Sequence, residues 1–595
     1  MNVPTIESSP CYDACDGRAW QVAQADSPVE VSSVNSLANP AIGVGLAGVT
    51  DYASQLPFLD LMKTARPWTG HVGGGWGGME YSELKDRGYL DDHGWPNAVP
   101  PGVSGIATLI LTDLPAGEVS ANGRYRLRYE GQGALEISSP SGKILASGGE
   151  AWFTAKAGQG EAIIITIIRT DPNGTGEYLR NFTIVKEENI AAFEAGQVFN
   201  PAWIDRIKDM RALRFMDWMA TNNSPESEWG DRPKVDDFTY GNHGVPLEIM
   251  VRLANEIGAD PWFNIPHLAT DDYIRRFATM VRDTLDPRLK AYVELSNEVW
   301  NWQFSQAAWA EQNGLARWGQ ESKWVQYYAL RASQMAVIWD EVYGPQATDR
   351  LVKIIATQTG WPGLEEDILN APMWIAESAD NEPPHTYFDA YAITGYFSGR
   401  LGDEKAETVL AWLGESRRKA EAGATDLAAD ARAAYIDKHR YDLAIERAAQ
   451  ELRSGAIIGD DGDSVQSVVG VSFPYQAAVA KKYDLELIMY EGGTHVVGIG
   501  EWTDNEELAA FFSTLNYSAE MGELYGELME GWKAAGGTLF NVFTDVYPPG
   551  KWGSWGALRH LDDKNPRWDA IQTFNNNNPG WWEERAPGTF DPSTD

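Results

Sequence analysis

Ala291-Tyr-Val-Glu-Leu-Ser-Asn-Glu-Val-Trp-Asn301 is the stretch that decides the fold. Its first five residues have the composition of a buried strand, and Asn297-Glu298 follow where such a strand would end. A second stretch, Leu487-Ile-Met-Tyr-Glu-Gly-Gly-Thr-His495, repeats the arrangement: an apolar run, then Glu491, then two glycines that turn the chain. A carboxylate directly after an apolar strand is costly unless solvated or used. In a closed βα barrel the reacting groups sit at that point, where strands end and βα loops begin.

Working outward, six further apolar runs complete a set: Ala41–Val49, Leu213–Asp217, Pro261–Ile265, Val352–Ala356, Ala390–Thr394 and Thr538–Phe543. Between them lie helical patterns. Val325, Tyr328, Ala332, Met335, Trp339 and Val342 recur at three and four residues, as on a helix facing a sheet. Residues 401–455 are rich in the helix formers Ala, Glu and Arg and elaborate the sixth connection, and a helical stretch is expected from Leu56 to Lys63. Strands alternating with helices read as parallel βα units, and eight strands is the number of a (β/α)8 TIM barrel. Glu298 and Glu491 then end the fourth and seventh strands.

One region has a different texture. From about Gly105 to Val185 short strands alternate with turn signals: Ile106–Thr112, then Tyr125, Leu127 and Tyr129 alternating with Arg124, Arg126 and Arg128, then Ala162–Ile168 and Phe182–Val185. This predicts a small all-β, sandwich-like domain inserted after the first barrel strand. The expected division is 1–83 for the N-terminal segment and first strand, 84–190 for the insertion, and 191–595 for the rest of the barrel and the tail. A sugar-binding module and a structural appendage are both open for the insertion.

Composition narrows the function. Lys and Arg number 48 against 85 Asp and Glu, a formal charge of −37, which disfavours nucleic acid, anionic lipid and polyanions as partners and suits a neutral substrate. Adaptation to a saline or crowded medium accounts for the charge equally well. The 25 Trp and 24 Tyr exceed ordinary packing needs, and flat rings with a polar edge suit the apolar faces of sugars. Cys11 and Cys15 stand alone near the start, so there is no disulfide framework. No run of eighteen apolar residues marks a membrane span, and MNVPTIESSP lacks the basic and apolar regions of a signal peptide. The expected location is nonetheless secreted or periplasmic.

Metal and phosphate chemistry finds no motif. No HxH, HExxH or CxxC occurs, so no metal or cofactor is expected, although His267, His385 and His495 are free to meet in space. The run from Gly73 to Gly78 reads as a flexible loop on the substrate side, and the Asp-rich segments at 460–464 and 171–177 as solvated turns rather than calcium loops.

Glycosidic cleavage needs a pair of carboxyl groups, one protonated to release the leaving oxygen and one ionised to attack the anomeric carbon. Either Glu alone would serve as a salt-bridged strand terminus; together at strands four and seven they fit the pair. Here the sequence resembles the clan A retaining glycoside hydrolases, to which the family 5 cellulases and mannanases belong, through Asn297-Glu298 and Tyr490-Glu491. The resemblance implies Glu298 as acid/base, Asn297 on the sugar 2-hydroxyl and Glu491 as nucleophile. It further implies Arg214 orienting the nucleophile, His267 lining the subsite and Tyr396 hydrogen-bonding Glu491. Arg214 is open to a second reading, as the counter-charge of Glu294 on the same face. The chain departs from the family 5 pattern in its insertion and in Val299 after the Asn-Glu pair. Of the strand-end aromatics Trp218, Trp300, Trp302, Trp361, Trp552 and Trp555, sugar contact is expected of Trp300, Trp552 and Trp555, whereas Trp302 also fits a helix core.

The expectation is a retaining glycoside hydrolase acting on a neutral, β-linked poly- or oligosaccharide, with Glu298 holding the higher pKa of the pair. A carbohydrate-binding protein without turnover and a transglycosylase on the same scaffold are the alternatives.

Overall fold

A computed structural model describes residues 37–73 and 75–592, so Cys11 and Cys15 lie outside the described residues. Eight parallel strands close into a barrel in chain order: β1 (Ile42–Gly45), β2 (Ala212–Arg214), β3 (Asp260–Ile265), β4 (Ala291–Leu295), β5 (Leu351–Ala356), β6 (Ala390–Phe397), β7 (Glu486–Thr494) and β8 (Phe540–Val542). The ring closes where β1 pairs with β8, Ile42 opposite Phe540. The chain is therefore a (β/α)8 barrel. β1 and β2 are shorter than the apolar runs that announced them, because the residues beyond Gly45 and Arg214 enter loops at the barrel mouth.

The helices follow local chemistry. Helix Leu247–Ile257 buries Leu247, Met250, Leu253, Ala254 and Ile257 on one face and stops at Gly258, whose φ of +70° a side chain would strain. Helix Asp271–Thr284 starts where the Thr270 hydroxyl accepts from the Tyr273 amide, with Asp271 and Asp272 in its first turn. Helix Trp324–Tyr343 carries the apolar stripe expected of it. Residues between β6 and β7 form helices Ala406–Gly423, Ala429–His439 and Asp442–Ser454. The expected helix from Leu56 to Lys63 is not one. Leu56 has φ +43°, Pro57 lacks an amide donor, and only Leu61–Thr64 makes a short 3-10 turn under the Asp60 cap.

Between β1 and β2 the chain forms two antiparallel sheets, one of six strands and one of three. The six-stranded sheet takes in Thr69–Val72 and Gly78–Met79, ahead of residue 84. Burial alternates along these strands, with Ile163, Ile165 and Ile167 on one and Tyr125, Leu127 and Tyr129 on another. Each fully buried Ile or Leu contributes about 1.5–3 kcal/mol by leaving water. Polar ties bind these sheets to the barrel: Asp60 accepts from the Ile184 amide at 2.8 Å, and Glu118 from the Leu561 amide at 2.8 Å.

Candidate active site

The mouth of the barrel is built around Arg214, the last residue of β2, which is fully buried. One guanidinium nitrogen donates to Glu491 Oε1 at 2.8 Å; another donates to Asn297 Oδ1 at 2.8 Å and to Glu294 Oε2 at 3.1 Å. Burial works against the charge on Arg214, and Glu294 and Glu491 more than restore it, so its pKa stays raised. Arg214 thus pairs with Glu294 and with Glu491 alike.

Glu294 is the anchor below the site. It accepts from Asn264 Nδ2 at 2.7 Å and Trp262 Nε1 at 3.0 Å as well as from Arg214. Trp262 and Asn264 are alternate residues of β3 and share the inward face of the barrel with Glu294 of β4. That alternation in Asp260–Ile265 was the available signal for both residues.

Backbone irregularities aim the two Glu side chains. Beyond β4, Ser296 and Glu298 have φ of +60° and +41°, a region that non-glycine residues seldom enter, and Asn264 Nδ2 donates to the Ser296 carbonyl at 2.8 Å. On β7 the pairing with β6 slips, Ile393 opposing Met489 but Thr394 opposing Glu491, so Tyr490 is an extra residue. Such a bulge breaks strict alternation. Accordingly Tyr490 and Glu491 both point into the mouth: Tyr490 donates its hydroxyl to Glu298 Oε1 at 2.9 Å, and Glu491 meets Arg214.

Each carboxylate has two fixed partners. Glu298 accepts from Tyr490 and from Asn301 Nδ2 at 2.9 Å. Glu491, 7% exposed, accepts from Arg214 and from the Tyr396 hydroxyl at 2.9 Å. Burial pushes Glu491 up to about 8, with the Glu298 charge adding to the rise, while Arg214 and Tyr396 pull it down. This upward shift on Glu491 runs against the expectation that Glu298 holds the higher pKa of the pair. Asn297 is held by Arg214 and donates to Asn222 Oδ1 at 3.2 Å, and Gln306 ties Asn222 to the Asn297 carbonyl at 2.8 Å each. Asn222, Asn301 and Gln306 lie in loops and on a helix, where no strand pattern singles them out.

The remaining expected residues divide. His267 follows β3 and is buried with no partner for Nδ1; burial lowers its pKa to about 4, so it stays neutral. It packs edge-on against Trp309. His495 lies beside Tyr396 and Trp555, whereas His385 precedes β6 at the far end of that strand and packs on Tyr483, so the three histidines do not meet. Trp555 sits among Tyr396, His495 and Phe543, its indole N–H donating to the Trp552 carbonyl at 2.9 Å. Trp552 is 69% exposed, under the Lys551 ammonium. Trp300 is only 4% exposed, packed on Tyr328 and Tyr490, and backs the site rather than presenting a platform. Trp218 is buried against Trp203. Trp302 and Trp361, 57% and 51% exposed, flank Trp324 on the rim after β4 and β5, so Trp302 is no helix core residue.

Among the described residues no group of three or more His, Cys, Asp or Glu side chains is arranged to hold a metal ion. Asp171 accepts from the amides of Thr175 and Gly176, and Asp460 from Gly462, Ser464 and Ser467, as turns do. Among the described residues no helix is long and apolar enough to cross a membrane.

No family model matches the sequence, and no curated protein matches it. Solved structures do match at low similarity. A 4-O-α-L-rhamnosyl-β-D-glucuronidase from Fusarium oxysporum aligns with TM-score 0.31 and 11% identity over 61% of this chain and 60% of that one. A fungal β-1,4-galactanase gives 0.27 and 10% over 60% and 86%, and the Bifidobacterium dentium β-glucuronidase 0.24 and 8% over 80% and 64%. The chain thus spans about 60% of the Fusarium enzyme's length. These similarities are too low to carry an argument about activity, and the barrel stands on its own strand pairing.

Proposed function

We propose that the protein is a retaining glycoside hydrolase acting on a neutral, β-linked poly- or oligosaccharide. The observation that carries this reading is the linkage of the two carboxylates. Glu298, just past β4, accepts from Tyr490, the residue beside Glu491 on β7, and Glu491 is fixed at both oxygens by Arg214 and Tyr396. A sugar-binding protein has no use for such a pair.

In the first step a Glu491 oxygen attacks the anomeric carbon while the Glu298 carboxyl gives its proton to the leaving oxygen; an ester between sugar and Glu491 forms as the glycosidic C–O bond breaks. In the second step Glu298, now a base, takes a proton from water, whose oxygen displaces the Glu491 carboxylate. Arg214 holds Glu491 in place for attack, and Asn297, fixed by Arg214 and Asn222, is presented toward a hydroxyl of the sugar. The exposed indoles of Trp552, Trp302 and Trp361 suit a chain lying across the mouth. We assign the two antiparallel sheets the role of buttress, supported by the Asp60 and Glu118 ties to the barrel.

Glu298→Ala tests the assignment. Turnover of an aryl glycoside with an activated leaving group is expected to fall and to be restored by azide, giving a glycosyl azide of retained configuration. An inverted azide product, or no rescue, would remove Glu298 from the acid/base role.

A further inference from the structure

A third carboxylate stands at the barrel mouth without a role in the steps above. Asp217 lies three residues past Arg214, in the loop that leaves β2. Its backbone carbonyl accepts from the Ala220 amide, but no described residue donates a hydrogen bond to its partly buried side chain. Its carboxylate oxygens are not sealed from solvent, so they are free to accept from a ligand that enters the mouth. Burial raises its pKa to about 6, Arg214 opposes the rise and Asp545 adds to it.

Gly48, in the loop after β1, lies beside Asp217: a Cβ there would stand 3.8 Å from the Asp217 Cβ, an ordinary van der Waals contact. Tyr547, from the loop after β8, lies near Tyr52, from the loop after β1, and the charge of Asp217 acts on Tyr547 and on Glu491. Strands β8, β1 and β2 are neighbours in the barrel, so their loops bring these groups to one corner of the mouth, beside Glu491. Asp545 is not a second such group, because it is satisfied by the Ala47 amide and the Trp203 indole at 2.9 Å each.

We propose that Asp217 hydrogen-bonds hydroxyl groups of the sugar held against Glu491, and that its charge restricts this position to sugars without a carboxylate, excluding uronosides. The inference rests on the glycosidase reading. A carboxylate accepts from two hydroxyls at once, and the sugar supplies the donors that the protein withholds. A uronate there would face Asp217 and Glu491, and the terminal nitrogens of Arg214 are already engaged by Glu294, Glu491 and Asn297. Like charges brought together in such a site repel strongly.

The test compares the native protein with Asp217→Asn and Asp217→Ala on 2,4-dinitrophenyl β-glycosides of glucose, galactose, mannose, xylose and glucuronic acid. The native protein is expected to cleave one or more of the first four and to leave the glucuronide intact. On the best substrate kcat/KM should fall roughly 100-fold in Asp217→Ala, the scale of losing hydrogen bonds to a charged group, and less in Asp217→Asn, which keeps an acceptor. Thermal unfolding checks the variants, and Asp217→Asn, which removes an unpartnered charge, should melt no lower than the native protein. Variants within threefold of native activity, or a glucuronide cleaved best, would overturn the role of Asp217 and leave the glycosidase reading intact. Failure of the native protein to cleave any of the five, or any neutral β-linked glucan, mannan, galactan or xylan, would overturn both.

Discussion

At the scale of the residue, Glu491 sets a testable pH dependence. As the proposed nucleophile it would react in its ionised form, and burial moves its pKa up from 4.5 to about 8. Activity should therefore rise with pH, with the acid limb of kcat/KM displaced upward toward about 8 in the free enzyme. Tyr396→Phe removes a hydrogen bond that favours the ionised form and should push the limb higher still, at lower kcat/KM. An acid limb near 4.5, unmoved in Tyr396→Phe, would contradict the assignment of Glu491 as nucleophile. Of the residues gathered at the candidate site, those legible in the sequence lie on strands or abut them: Arg214, Asn297, Glu298, Tyr396 and Glu491. Asn222, Asn301, Gln306 and Asp217 were not legible, since their positions depend on loop geometry that periodicity does not carry. Trp300 misled because an aromatic just past a strand packs inward as readily as it faces solvent.

At the scale of the element, β7 depends on its glycines. Gly493 has φ +138°, and a Cβ there would fall 2.3 Å from the Tyr525 hydroxyl, which accepts the Thr494 amide at 3.0 Å. Gly493→Ala should cost about 1–3 kcal/mol through overpacking and backbone strain, read as a lower urea midpoint. Activity should suffer with it, because the same strand carries the bulge that aims Tyr490 and Glu491. An unchanged midpoint would show that Tyr525 yields freely. Strand order and number were readable from apolar runs of the right length. The bulge was not, because Leu487 to Tyr490 gives the same apolar signal whether or not one residue slips out of register. Leu56 to Lys63 failed as a helix for a reason visible in hindsight, namely Pro57 within it and Asp60 capping a shorter turn.

At the scale of the whole molecule, the charge of −37 is the dominant feature outside the site. Many of these charges sit on the surface, where 0.1 M salt screens beyond about 10 Å. Thermal stability should accordingly rise by several degrees between low salt and about 0.5 M NaCl, as self-repulsion is relieved. A melting temperature that falls with salt would mean that the surface ion pairs outweigh the repulsion.

The ring itself has a consequence for how the chain is made. β1 lies between β2 and β8, and Ala47 of its loop is capped by Asp545, 498 residues later. A chain leaving the ribosome at roughly 5–20 residues per second therefore carries its first strand for the better part of a minute before its second neighbour exists. Until the last strand emerges, one edge of β1 has neither partner nor cover. Barrel closure must be among the final events of folding, and the wait before it is when the nascent chain is most exposed to wrong partners.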